Sequence, residues 1–139
     1  MTTRRISEMV HHKHPVTLPA SASVRDACRH MHQRRVGAVL VVDPEQRLLG
    51  IFTGRDAVGL LARAHDPADT PLSEVMTSNP STISSRHTAV DALRLMEDGG
   101  FRHLPVVEDG KVVSIISRGD FRGLEEARLD VETGLWERI

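Results

Sequence analysis

Aromatic side chains are scarce in this 139-residue chain: three Phe, one Trp and no Tyr, 3% of the whole. The core must therefore be assembled from Val, Leu, Ile, Ala and Met, and the scarcity of flat rings counts against single-stranded nucleic-acid binding, which stacks bases on them. Cys28 is the only cysteine, which excludes an intramolecular disulfide and any multi-cysteine zinc site and suits a reducing compartment. Neither sign of charge dominates: 18 Lys and Arg face 19 Asp and Glu, a net charge of -1. No overall field draws DNA, RNA or an anionic membrane. The longest apolar run, Val36 to Val42, falls far short of the roughly 20 residues a membrane-crossing helix needs. The start, Met1-Thr2-Thr3-Arg4-Arg5, leads into polar sequence rather than an apolar signal core. The expectation is a cytoplasmic protein with neither a nucleic-acid nor a membrane partner. No Walker loop, GxGxxG, Gly-x-Ser-x-Gly elbow or HExxH occurs, so no catalytic machinery is visible.

What is present is a globular composition, 40% hydrophobic and 27% charged, and an internal repeat. Pro15-Val16-Thr17-Leu18 matches Pro80-Ser81-Thr82-Ile83 at an offset of 65, and the same offset pairs Asp26-Ala27 with Asp91-Ala92, Arg29 with Arg94, Met31 with Met96 and Val41-Val42 with Val106-Val107. It falls to 64 for Ile51 with Ile115 and Asp56 with Asp120, and is 66 upstream, where Ile6-Ser7-Glu8 pairs with Leu72-Ser73-Glu74. Both adjustments lie in expected turns, which tolerate changes of length.

Each copy has the same order. A short helical start (Ile6 to Val10; Leu72 to Met76) leads through a proline to an extended segment, Val16 to Leu18 or Thr82 to Ile83. A helix follows, opened by Ser23 with Asp26 or Thr88 with Asp91, each resembling a capping box. Val24, Ala27, Cys28 and Met31 fall on one helical face, as do Ala89, Ala92, Leu93 and Met96. Ala38 to Val42 is a continuous apolar run, expected of a strand covered on both sides; its partner starts near Leu48 after a turn at Asp43-Pro44-Glu45-Gln46. The second pair, Leu104 to Val107 and Lys111 to Ile116, flanks Glu108-Asp109-Gly110, where Asp-Gly signals a hairpin. A closing helix is expected near Arg55 and near Gly119. The fold class is α+β, an α/β-type repeat of two strand-helix-strand-strand-helix units. Neither half buries its sheet well alone, so the two are expected to pack about a pseudo-twofold axis.

A polar motif leaves the last strand of each copy: Gly50-Ile51-Phe52-Thr53-Gly54-Arg55-Asp56 and Ser114-Ile115-Ile116-Ser117-Arg118-Gly119-Asp120. A carboxylate there can accept hydrogen bonds from both hydroxyls of a ribose, while the hydroxyl residue and the first helical N–H groups favour a phosphate. The same residues serve equally well as helix caps, Thr53 and Ser117 at the N-cap with Asp56 and Asp120 supporting them. Two copies at matching points of a repeat favour a site.

An apolar strand pair ending in small–apolar–apolar–Thr/Ser–x–x–Asp, preceded by a Pro-x-Thr strand and a capped helix, resembles the cystathionine-β-synthase (CBS) domain, here as a tandem pair. The resemblance places the first unit at 4–64, a linker at 65–71, the second unit at 70–128 and a C-terminal tail at 129–139. It implies a non-catalytic regulatory module that needs no cofactor and takes an adenosine-containing ligand, AMP or ATP foremost, in the cleft between units. It implies a homodimer as well, and a regulated enzyme or transporter acting in trans. Carried over by residue, the ribose-binding aspartates are Asp56 and Asp120 and the hydroxyl positions are Thr53 and Ser117. The base-lining segments are Thr17, Leu18, Gly37, Ala38 and Val39 in one copy, and Thr82, Ile83, Arg102, His103, Leu104 and Pro105 in the other. Ser114 stands where the family has the glycine that Gly50 supplies, and Leu40 replaces the proline kept at Pro105. Arg102, Arg118 and Arg122 form a candidate phosphate clamp in the second copy, against Arg55 with Arg34 or Arg35 in the first, although any single arginine also fits a solvated surface position. His103 either meets a phosphate or packs at its strand's start.

The remaining features have plainer readings. His11-His12-Lys13-His14 lacks a distant, well-spaced ligand partner and is expected to be a solvated linker, so no metal site is assigned. Cys28 is an inert core residue. In the tail, Leu124, Ala127 and Val131 make a helical stripe that Gly134 breaks before Trp136, suited to a dimer contact or to covering its own domain. The alternative function is a purely structural oligomerisation module without a small-molecule ligand.

Overall fold

The computed structural model describes residues 4–10 and 14–121. In chain order the elements are α1 (Ile6–Met9), β1 (Thr17–Leu18), α2 (Val24–Arg34), β2 (Ala38–Val42), β3 (Leu48–Thr53) and α3 (Gly54–Ala62). They continue with α4 (Leu72–Val75), β4 (Thr77–Ser78), α5 (Ala89–Gly99), β5 (His103–Glu108), β6 (Lys111–Ser117) and a 3-10 turn over Arg118–Asp120. The strand-helix-strand-strand-helix order read from the repeat is present in the first copy, whereas in the second the element described after β6 is the 3-10 turn and not the expected helix.

The chain divides into two compact units. The first, built on the first copy, holds residues 14–80 with 109–113. Its sheet runs β1-β2-β3-β4, with β1 parallel to β2 (Thr17 opposite Leu40) and β3 antiparallel to both β2 and β4. All five residues of β2 are buried, as its unbroken apolar run demands. Val24, Ala27 and Met31 of α2 pack with Val39, Val41 and Phe52 in the core of this unit. β4 was not legible as a strand, because two exposed polar residues carry no pattern of their own. It lies so close to β3 that a Cβ on Gly50 would stand 2.6 Å from Met76 Sδ and 2.8 Å from the Thr77 carbonyl oxygen.

The second unit holds residues 1–13, 81–108 and 114–139, of which only the described ones are discussed. Here the expected strand at Thr82 to Ile83 shrinks to a single parallel bridge between Ile83 and Val106. That bridge is the same pair as Leu18 with Val41 in the other copy. β5 and β6 join through Asp109 and Gly110, at φ 51° and 79°, the two positive angles of a tight hairpin. Thr88 caps α5 in both directions: its hydroxyl accepts the Asp91 N–H at 3.2 Å and its own N–H donates to Asp91 Oδ2 at 3.0 Å.

The packed units are not simply the two copies. Ile6 and Met9 of α1 are buried with Ile83, Ala89, Met96 and Leu104, and the Ile6 N–H donates to the His87 carbonyl at 2.9 Å. Leu72 of α4 is buried among Val16, Val24 and Leu60, and its N–H donates to the Ala22 carbonyl at 2.8 Å. The helical start of each copy thus joins the core of the other copy's unit. Periodicity reports that α1 and α4 are equivalent but is silent on which core each one fills.

Candidate functional site

In the first unit, β3 ends on Thr53 and α3 begins on Gly54, so the chain turns from strand to helix across the polar motif. The Thr53 N–H donates to Asp56 Oδ2 at 2.9 Å, its hydroxyl to the same oxygen at 3.1 Å, and the Asp56 N–H returns to Thr53 Oγ1 at 3.4 Å. This is a reciprocal capping box. Asp56 is half-buried, and all its side-chain hydrogen bonds in the box fall on Oδ2. Oδ1 is the oxygen left to receive donors from outside.

The flanking segments come to the same place. The Gly54 N–H donates to the Gly37 carbonyl at 3.1 Å, tying the head of α3 to the head of β2, and Ala38 pairs with Thr53. Thr17 lies opposite Leu40 on the other side of β2. Thus Gly37 and Ala38 meet Gly54 and Thr53 at the head of β2, with Asp56 in the first turn of α3, while Thr17 and Leu18 lie further along β2, beside Leu40 and Val41. Val39 is fully buried in the core and Ala38 is 4% exposed, while Gly37 is exposed.

The second unit repeats the arrangement at equivalent positions. The Ser117 N–H donates to Asp120 Oδ2 at 2.7 Å and the Ser117 hydroxyl to the same oxygen at 3.2 Å. The Arg118 N–H donates to the Arg102 carbonyl at 2.9 Å, the counterpart of Gly54 with Gly37. Ile83 lies beside β5, with its N–H on the Pro105 carbonyl at 3.0 Å. Leu104 and Pro105 are buried, whereas Thr82 and Arg102 are exposed. Ser114 is 1% exposed and fills the place taken by Gly50 in the other copy.

Of the basic candidates, Arg118 turns its guanidinium to Glu97 of α5, Nη2 to Oε1 at 2.6 Å. Arg102 is exposed, as are Arg34, Arg35 and Arg55; Arg122 lies outside the described residues. His103, half-buried at the head of β5, is held below the ordinary 6.5 chiefly by burial, with Arg102 adding to the effect and Asp120 opposing it. Burial so disfavours the charged form of the imidazole, and the neutral ring is both donor and acceptor. The residue that sequence reasoning missed is Arg4, whose Nη2 donates to the Asp120 backbone carbonyl at 3.0 Å. No local signal could reveal it, because 116 residues separate the partners.

Among the described residues no three His, Cys, Asp or Glu gather as metal ligands, and no helix is long and apolar enough to cross a membrane. His11, His12 and the tail with Trp136 lie outside the described residues, and His14 is exposed. Cys28 is half-buried on α2, and burial pushes its thiol up from the usual range.

A family model described as the CBS domain matches residues 6–63 and 72–126. The chain is 42% identical over 102 residues to the CBS domain-containing protein CBSCBSPB1 of Arabidopsis thaliana, covering 73% of this chain but 19% of that protein, so it spans about a fifth of that relative's length. It is 32% identical over 130 residues to a 17.7 kDa protein in the bps2 3' region of Acidianus ambivalens, covering 93% of this chain and 76% of that one. Among solved structures, the CBS domain protein PAE2072 from Pyrobaculum aerophilum, complexed with AMP, is similar at a TM-score of 0.83 and 26% identity, covering 91% of this chain and 98% of its own.

Proposed function

The chain belongs to the CBS domain family, and from that premise we propose that it is a non-catalytic regulatory module whose ligand is an adenosine nucleotide, AMP or ATP foremost. The observation that carries the reading is the duplicated strand exit. Thr53 with Asp56 and Ser117 with Asp120 hold the same geometry beside equivalent parallel segments, and a similar protein is complexed with AMP. In the first copy the carboxylate uses Oδ2 for the cap and offers Oδ1 to ribose hydroxyls. The head of β2 or β5 supplies backbone groups near the base through Gly37 or Arg102, since Val39 and Leu104 belong to the core. The phosphate falls to Arg102 and His103 in the second copy and to Arg55 in the first. Binding would bias the packing of a homodimer, and a partner enzyme or transporter in the cytoplasm would read that bias in trans.

Isothermal titration with AMP, ADP, ATP, S-adenosylmethionine and NADH tests this. An adenine nucleotide binds; Asp120→Ala abolishes the tighter event, and Asp56→Ala has a smaller effect. Unaltered affinity in both variants rejects the assignment. The complete capping boxes favour a second reading, in which the motifs are only helix caps of an oligomerisation module. That reading gives no nucleotide-induced rise in Tm, while Thr53→Ala or Ser117→Ala costs about 1 kcal/mol of stability.

A further inference from the structure

We propose that Arg4 is a positioning residue of the second nucleotide site, so that the site at the end of β6 is completed from the segment that opens the first copy. The two aspartates differ in what holds their backbones. Asp56 sits inside the nine-residue α3, whose own N–H groups satisfy the carbonyls of its first turn. Asp120 closes a three-residue 3-10 turn, and Phe121 immediately after it is extended, at φ -87° and ψ 148°. There the Arg4 guanidinium supplies the donor, Nη2 to the Asp120 carbonyl at 3.0 Å, while Ser117 holds the carboxylate from the other side at 2.7 Å. An immobilised donor is needed for this, and Arg4 has a fixed base. Its own carbonyl accepts the Ala89 N–H at 2.8 Å, Arg5 forms an antiparallel bridge with Thr88, Arg5 Nη1 donates to the Arg86 carbonyl at 3.1 Å, and Ile6 is fully buried. Arg4 thereby does for Asp120 what a helical ladder does for Asp56, and aims the carboxylate at the ribose.

This inference rests on the nucleotide reading above, and AMP titrations of the full chain separate the two. In an Asp56→Asn background, which isolates the second site, Arg4→Ala weakens AMP binding roughly tenfold, because Asp120 loses the donor that fixes its backbone and its carboxylate is no longer held ready for the ribose. Arg4→Lys, which keeps a cationic donor, recovers part of the loss, and Arg4→Gln serves as the neutral donor should Arg4→Ala fold poorly. In an Asp120→Asn background, Arg4→Ala leaves first-site affinity unchanged, and amide exchange across α5 and β5 stays as in the unmodified chain; faster exchange there would make the role merely structural and overturn the inference. Equal AMP affinity with and without Arg4 in the Asp56→Asn background overturns this inference alone. No binding of AMP, ADP or ATP by the unmodified chain overturns the functional reading and this inference with it.

Discussion

Thr53 and Asp56, like Ser117 and Asp120, are three residues apart, the spacing that lets an N-cap and the third helical residue satisfy each other. Local hydrogen bonding of this kind is legible in sequence because both partners lie within one turn. The Arg4 contact to Asp120 is not, since only folding brings the two together. Gly50 shows the same divide: as a residue it is simply a glycine in an apolar run, and its purpose emerges from the Met76 and Thr77 atoms that a Cβ would strike. His103 carries a prediction at this scale. Burial holds the folded-state imidazole below 6.5, so the unfolded chain takes up this proton first as pH falls. The contribution is therefore full above about pH 6.5 and is lost progressively below it, levelling once the folded-state histidine also titrates. His103→Asn removes this loss. Urea unfolding between pH 7.5 and 5.5 should show the variant gaining on the unmodified chain as pH falls, and a pH-independent difference would contradict the assignment.

Among the elements, α2 and α5 are the same helix written twice with different ends. Thr88 and Asp91 form a two-way cap on α5, and the Asp91 carboxyl lies below its usual 3.8, chiefly through the Thr88 backbone N–H. On α2 the Ser23 hydroxyl accepts from the Asp26 N–H, but Asp26 turns toward Arg29 at 3.9 Å instead of returning to the cap. Thr88→Ala should therefore cost about 1 kcal/mol and Ser23→Ala less, read from the midpoints of denaturant unfolding. Equal losses would show that the reciprocal bond adds nothing. At the other end Gly100 takes φ 69° where its counterpart Arg35 takes φ 54°, so α2 closes on a left-handed arginine. Helix and strand identities were legible here because capping residues and apolar periods are local signals. The short pairings were not: β4 and the lone Ile83 bridge are held by a neighbouring strand rather than by their own residues.

For the whole molecule, the exchange of helical starts makes its own forecast. Removing residues 1–10 strips Ile6 and Met9 from the core of the second unit, at roughly 1.5–3 kcal/mol for each buried side chain. Amide exchange should then rise across α5 and β5 while α2 keeps its protection; faster exchange in α2 instead would assign α1 to the first unit. The duplicated strand exit has parts of separate origin. Sequence alone determined the repeat, the capping boxes at Thr53, Thr88 and Ser117, the apolar strands and the scarcity of aromatic side chains, because each depends on residues close along the chain or on composition. Only the tertiary structure decided which core receives α1 and α4, why Gly50 must lack a side chain, that Arg118 spends its charge on Glu97, and that Arg4 braces Asp120. Those contacts depend on where the chain returns in space, and a repeat fixes equivalence between positions without fixing their neighbours.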